Sequence, residues 1–206
     1  MIKGGAPTDV AFAPHGTTVA VSGYNGVTEV LNPATRTVKS RPKPGGEYVF
    51  GVAFSPDGSK LAATGWDGTV HLFNSKTGRR IATIIDPDQD VVNSVAWSPD
   101  GHTIAITDWE GTLRIFDVTT RRQVAPAYQL GAAEGQTRNL YATFTPDGAD
   151  VVVSDDTGQA WIFPITLKAW EIRACAVANR SFTHAEWNQF VPGLPYQPVC
   201  PASPGG

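Results

Sequence analysis

The chain has 206 residues and a formal net charge of −3, with no basic stripe, so composition argues against nucleic acid as a partner. Apolar runs are far shorter than the ~20 residues that span a bilayer, and the N-terminal stretch lacks the apolar region of a secretory signal. We therefore expect a cytoplasmic location without a membrane partner. Charged residues make up only 17% of the chain, whereas Gly and Pro number 21 and 16, which is typical of a β-rich protein with many turns.

A short turn motif recurs four times along the chain. It reads FAPHG from Phe12, FSPDG from Phe54, WSPDG from Trp97 and FTPDG from Phe144. Each copy is followed by a block that aligns with the others without gaps, at 19–31, 61–73, 104–116 and 151–163. A shared turn and a gapless block at a period of roughly 40–45 residues indicate a structural repeat.

Each copy predicts antiparallel strands joined by tight turns. In the second copy, Pro56 presets the backbone of the first turn, which Asp57 and Gly58 complete. Asp67-Gly68 predicts a second turn, and every copy has Gly at this position, as a positive φ requires. A fourth strand is predicted in three copies, at 37–40, 80–85 and 122–127, whereas the last copy has three strands.

The period, the Ser-Pro-Asp-Gly turn and the segments DGTVHLF and EGTLRIFD resemble the WD-repeat β-propeller family in its bacterial form. The resemblance covers residues 9–166 and implies an all-β fold of four antiparallel blades in a domain spanning 1–166. The blades are expected near 8–41, 48–86, 91–127 and 139–166. The family's Gly-His pair and closing Trp-Asp dipeptide are missing from all copies. We therefore expect its Trp-Ser-His-Asp hydrogen-bond tetrad to be incomplete.

Four copies are fewer than the roughly seven blades usual in this family. We therefore expect an open, incomplete propeller with exposed end faces, and a closed four-blade ring is the alternative. The expected partner is an unidentified protein, the missing blades of the same parent protein, or a second copy that forms a homodimer through the open faces.

The repeat ends at Thr166, and 167–200 predicts a tail of two helices. The segment LKAWEIRACAVANR has apolar residues at helical spacing. Thr183 and Glu186 form a capping box at the start of a second helix, predicted at 184–190. The last residues, 201–206, are expected to be disordered.

This tail is similar to one found after WD repeats in actinobacterial signalling proteins, which often carry an upstream NTPase module of the STAND class. The shared residues are Ala174-Cys175, Asn179-Arg180, Thr183, Glu186-Trp187, Pro195-Tyr196 and Cys200-Pro201. The resemblance implies that the chain is the C-terminal part of a bacterial signalling protein. Cys175 and Cys200 bracket the tail, and the sequence leaves open whether they form a disulfide or stay as two reduced thiols.

Motifs for catalysis and metal binding are missing from the sequence. The four histidines have no ligand spacing, and the two cysteines form no CxxC pair. Asp86, Asp88 and Asp90 lack the Gly and Glu of a calcium loop and are interpreted as a solvated connector. Since no serine lies in a G-x-S-x-G elbow either, we expect no metal, no cofactor and no enzyme activity.

Three aromatic residues recur at one position of the aligned block, just before the acidic or Asn position of the second turn. They are Tyr24, Trp66 and Trp109, and the fourth copy has Asp156 there. In a propeller this turn shares one rim with the connectors between blades, so the rings are expected to form an arc. Trp and Tyr are frequent interface anchors, which makes these three candidate binding residues. The alternative is that each ring packs beneath its neighbouring connector.

A non-catalytic scaffold for protein interaction or ligand sensing is therefore the leading hypothesis. The first alternative is a propeller-based enzyme, such as a hydrolase or lactonase, or a small-molecule binder. It would need converging carboxylates or histidines at the channel, which the aligned blocks do not show. The second alternative is a gene fragment without a function of its own.

Overall fold

The computed structural model describes residues 6–45, 48–130, 139–165 and 183–185. These residues form fifteen strands in four antiparallel sheets, each with its strands in chain order. Sheet 1 holds β1 (Pro7–Phe12), β2 (Val19–Gly23), β3 (Thr28–Asn32) and β4 (Thr37–Ser40). Sheet 2 holds β5 (Val49–Phe54), β6 (Lys60–Gly65), β7 (Thr69–Asn74) and β8 (Arg80–Ile85). Sheet 3 holds β9 (Val92–Trp97), β10 (Thr103–Asp108), β11 (Thr112–Asp117) and β12 (Tyr128–Gln129). Sheet 4 holds β13 (Leu140–Phe144), β14 (Asp150–Asp155) and β15 (Ala160–Pro164).

The first strands of successive sheets lie side by side. Strand β1 packs beside β5, β5 beside β9, and β9 beside β13. Within the described strands, β13 and β1 have no comparable contact. The predicted all-β class and the four antiparallel sheets are confirmed, and their succession is consistent with propeller blades.

The core lies between the sheets. Val30 of sheet 1 shares a buried cluster with Val49 and Leu61 of sheet 2, and on the other face of sheet 2 Leu72 shares a second cluster with Ile104 of sheet 3. Sheet 4 in turn contacts sheet 3 through β13. Both middle sheets are therefore covered on two faces, which explains the near-continuous burial of β6 and β10. The end sheets differ, because Phe12 in β1 and Ile162 in β15 are each 67% exposed.

The Ser-Pro-Asp-Gly turns define one end of the sheets, which we call the turn end. In sheet 2, Ser55 Oγ donates to Asp57 Oδ1 (2.5 Å), and the amides of Ser59 and Lys60 donate to Asp57 and Ser55 (3.0 and 2.9 Å). The same pattern recurs in sheets 3 and 4. Gly58 has a φ of +69°, and glycine has a positive φ at this position and in the second turn of all four copies, as predicted.

The fourth strand of sheet 3 differs from the prediction. The sequence predicts it at 122–127, but the strand is Tyr128–Gln129, and the predicted segment holds only a single bridge between Phe116 and Gln123. Pro126 explains the difference, because proline has no N–H to donate to the neighbouring strand.

The chain divides into two compact units, Met1–Phe163 and Pro164–Gly206. The predicted tail at 167–200 lies outside the described residues except for 183–185, as do Cys175, Cys200 and the end at 201–206. The two-helix tail and the state of its thiols therefore stay predictions.

No helix in the described part of the chain has the length and apolar character needed to cross a membrane.

Candidate functional site

The second turns and the connectors between sheets share the end opposite the turn end, which we call the rim. Backbone hydrogen bonds tie them together. The amide of Trp66 donates to the carbonyl of Tyr48 (3.3 Å), and the amide of Asp86 donates to the carbonyl of Gly68 (2.9 Å). In sheet 3 the amide of Trp109 donates in the same way to Val91 (3.1 Å). The rim therefore carries all three aromatic residues singled out from the sequence.

Five aromatic rings contact one another at the rim, and we call them the ring cluster: Tyr24, Tyr48, Phe50, Trp66 and Trp109. Phe50 lies at its centre, with its centroid 6.1 Å from that of Tyr24, 5.9 Å from Trp66 and 5.4 Å from Trp109. The two Trp rings are 5.1 Å apart and nearly perpendicular, an edge-to-face geometry favoured by aromatic quadrupoles. The cluster joins three sheets into one surface.

The ring cluster is partly open to solvent, with Tyr24 49% and Trp66 48% exposed. The sequence predicted that the three residues form an arc along the rim, and the structure brings them into one cluster with two further rings. Each of the five rings contacts at least one other ring, and of the five only Tyr48 belongs to a connector. Whether these residues bind a partner stays a prediction.

Sequence reasoning missed Tyr48 and Phe50. The search relied on recurrence between copies, and the corresponding residues before and within β9 are Val91 and Asn93. The signal that was available is the local segment Tyr48-Val49-Phe50, whose two rings alternate about a buried valine at the start of β5. The fourth copy contributes no ring, because the equivalent residue is Asp156, which accepts a hydrogen bond from the Asn139 side chain (3.1 Å).

The Arg114 side chain links a connector and a second turn of the rim through ion pairs. Its buried guanidinium contacts the carboxylates of Asp108 (2.6 Å) and Asp86 (3.2 Å), and it also pairs with Asp88. Burial raises the pKa of Asp86, while a backbone hydrogen bond and Arg114 oppose this rise. The interpretation of this segment as a solvated connector is therefore wrong for Asp86, which is 1% exposed. Its partner lies 28 residues later in the chain, where no local pattern reveals it.

In sheets 1 and 2, the third-strand position equivalent to Arg114 also holds a buried polar or charged residue. Glu29 pairs with Arg41 (2.9 Å). His71 contacts the hydroxyl oxygens of Thr69 (2.8 Å) and Thr83 (3.0 Å) through its two ring nitrogens, and burial lowers its pKa. These contacts tie third strands to the segments that follow them, which gives His71 a structural role. Within the described residues, no three His, Cys, Asp or Glu side chains are grouped as metal ligands would be.

Two concave surfaces lie at opposite ends of the sheets. At the rim, a cavity of about 260 Å³ is lined by residues from the first strands of all four sheets and by three rings of the cluster. At the turn end, a groove of about 830 Å³ runs between sheets 2 and 3, past Pro56, Ile81 and Pro99. Among the described residues, no Phe, Tyr or Trp side chain lines this larger groove. A third concave surface of about 450 Å³, between sheets 1 and 2, has the single ring of Phe54 in its wall. Of these three surfaces, the rim cavity is the one lined by several aromatic rings.

Residues 37–74 and 78–117 match the family model of the WD domain, G-beta repeat. This supports a WD-repeat protein. Each matched segment contains the last strand of one sheet and the first three strands of the next, and together the two segments carry most of the ring cluster. No curated protein matches the chain significantly. WD repeats generally mediate interactions between proteins, which is consistent with a non-catalytic scaffold.

Proposed function

We propose that this chain is a protein-interaction scaffold that binds its partner through the ring cluster. One observation carries the proposal: five aromatic rings from three sheets form a continuous, partly exposed surface. Tyr and Trp are enriched among the residues that contribute most to binding energy at interfaces. Isolated exposed rings need no such explanation, but a contiguous set does.

The ring cluster is held rigidly, which supports a role in recognition. Trp66 and Trp109 stand on tight turns whose backbone bonds to the start of the neighbouring first strand. Arg114 fixes both the turn at Asp108 and the connector at Asp86. A partner that binds here immobilises few side chains, so more of the contact energy appears as affinity.

The cellular setting belongs to the same proposal. The resemblance of the tail supports a regulatory or sensing part of a bacterial signalling protein, and a cytoplasmic location is the setting that we propose for it. A partner protein that engages the ring cluster would then be held by a rigid surface without chemical change.

The test compares two matched double variants. Tagged wild-type protein is used to capture and identify a partner from the source cell, and capture is then measured with Trp66→Ala/Trp109→Ala. The control, Ile81→Ala/Val124→Ala, removes two comparably exposed apolar side chains that lie outside the rim. We expect the Trp variant to lose at least about tenfold in affinity, or about 1.4 kcal/mol. Its melting temperature should fall by less than about 5 °C, because the rings are partly solvated.

Retained capture by the Trp variant would contradict the proposal. Loss of partner capture in the control variant alone would instead place the binding site at the turn-end groove, which Ile81 lines. A large drop in melting temperature of the Trp variant would show that the rings stabilise the fold instead.

A further inference from the structure

We propose that the rim cavity receives the guanidinium group of an arginine side chain, carried by an extended segment of the protein partner. This inference rests on the proposed function and specifies the chemistry of the partner. It follows from the charge inside the cavity, the charge around it and the rings that form its wall.

Asp9 supplies the charge inside the cavity. Among the described residues that line the cavity it is the one charged side chain, and it lies on β1 in the same cavity wall as the rings of Tyr24 and Phe50. Its two carboxylate oxygens each accept one amide hydrogen, from Val10 (2.7 Å) and from Val52 (2.9 Å). No Lys, Arg or His of the described chain forms an ion pair with it. Each oxygen has a further lone pair available, so the carboxylate is a ready acceptor for a cationic donor.

The surrounding rim is also acidic. Near Trp109 the described residues include Asp88, Asp90, Asp108 and Glu110, and Arg114, the one cation among the described residues of this group, is shared among three aspartates. The pKa of Asp90 is raised, first by burial and then by Asp108, Glu110 and Asp88. A surface with this excess of negative charge attracts a cationic group and repels an anionic one.

The aromatic rings of the cavity favour a guanidinium over an ammonium group as the bound cation. Tyr24, Phe50 and Trp109 line the cavity, and aromatic faces attract cations, most often the guanidinium of arginine. Guanidinium is planar, stacks on rings, is more weakly hydrated than ammonium and binds a carboxylate with two parallel hydrogen bonds. The cavity volume of about 260 Å³ is that of about nine water molecules, enough for this group and its aliphatic stem.

The extent of the ring cluster indicates a peptide segment instead of a free small molecule. Tyr48 and Trp66 contact Phe50 but do not line the cavity. An inserted arginine side chain alone would leave the half-exposed Trp66 uncovered. A polypeptide that carries the arginine and runs on over the rim would cover both rings.

The test uses four probes titrated into the whole chain, with binding followed by NMR at the Trp109 indole N–H. They are the acetylated, amidated peptide Gly-Ala-Arg-Ala-Gly, the same peptide with citrulline, the same peptide with lysine, and acetyl-arginine amide. Citrulline keeps the shape of arginine and removes its charge. We expect the arginine peptide to bind at least about tenfold more tightly than the citrulline peptide, with lysine between them and acetyl-arginine amide weaker than the peptide.

Two variants locate the binding at the cavity. Asp9→Asn should weaken the arginine peptide about tenfold and remove its advantage over citrulline. Because Asp9 also accepts the Val52 amide, Tyr24→Leu serves as a second variant, since it keeps the carboxylate and the Trp109 indole that reports binding but removes one ring from the cavity wall. Tyr24→Leu should also weaken the arginine peptide. The control is Asp147→Asn, which changes an exposed carboxylate at the turn end and should leave affinity unchanged.

Equal affinity for the arginine and citrulline peptides, or no shift of Trp109 up to about 5 mM arginine peptide, would overturn the inference. Equal affinity for acetyl-arginine amide and the peptide would overturn the claim of a polypeptide segment. If the double Trp variant loses its partner while the arginine peptide fails to bind, the scaffold function stands and this inference falls. If the arginine peptide binds the wild-type protein but the double Trp variant still captures the partner, the scaffold proposal is contradicted instead.

Discussion

At the turn end, the side-chain hydrogen bonds that shape each turn join residues two to five positions apart, as between Ser55, Asp57 and Lys60. At the rim, Arg114 reaches Asp88 and Asp86, which precede it by 26 and 28 residues. The turn end is nearly the same in three of the four copies, whereas the rim differs in each. A repeat can therefore keep its fold through local contacts at one end while the residues at the other end vary from copy to copy.

The largest effect is expected when the long-range contacts of the rim are removed. Arg114→Met leaves two buried carboxylates without a cation, which should lower the free energy of unfolding by about 3–5 kcal/mol. Urea unfolding measures the loss. The control, Arg79→Met, changes an exposed arginine at the turn end and should cost less than about 0.5 kcal/mol. Equal losses of unfolding free energy for the two variants would show that the ion pairs of Arg114 stabilise the fold no more than an exposed arginine at the turn end does.

The glycines of the two turns should respond unequally to alanine, although their backbones are alike. Gly68 and Gly16 have φ values of +71° and +69°. An added Cβ at Gly68 would lie 2.7 Å from the backbone of Gln89, whereas at Gly16 nothing lies within 4 Å. Gly16→Ala should therefore cost about 1 kcal/mol, and Gly68→Ala about 3 kcal/mol, since the clash adds to the backbone strain. Thermal unfolding would contradict this if both variants lost the same amount.

The centre of the ring cluster should contribute less to stability. Phe50→Leu keeps apolar volume but removes four ring contacts, so we expect a loss of about 1–2 kcal/mol. Partner capture should fall more steeply than stability, because the rings around Phe50 lose their common support. A loss of stability above about 4 kcal/mol would instead identify the cluster as part of the core.

The smallest effect concerns a single turn. A hydrogen bond from Ser55, helped by Ser59, lowers the pKa of Asp57 from 3.8 to about 2. Because the folded-state pKa is the lower one, this carboxylate stabilises the fold above about pH 4, and its contribution fades as the pH falls through about 2. Ser55→Ala should raise the pKa of Asp57 toward 3.8 and cost about 1 kcal/mol. NMR titration measures the pKa, with Asp100 as the unchanged reference, and urea unfolding measures the loss of stability. An unmoved Asp57 pKa would exclude Ser55 as the cause.

Local signals predicted much of the fold. The fourth strands at 37–40 and 80–85 coincide with Thr37–Ser40 and Arg80–Ile85, because turn residues precede both. The prediction of a fourth strand at 122–127 was wrong, although Pro126, which has no N–H to donate, was visible in the sequence. For the candidate site, recurrence identified Tyr24, Trp66 and Trp109 but could not identify Phe50, which occurs in one copy only.

The sequence by itself determined the repeat, its turns and the positions of three aromatic residues, because these depend on residues close together in the chain and recur in several copies. Only the tertiary structure decided that Phe50 joins those rings into one surface and that Arg114 is buried among three aspartates. The physical reason is distance along the chain. Contacts between sheets join residues tens of positions apart, and their partners are set by how the sheets pack, which no single repeat contains.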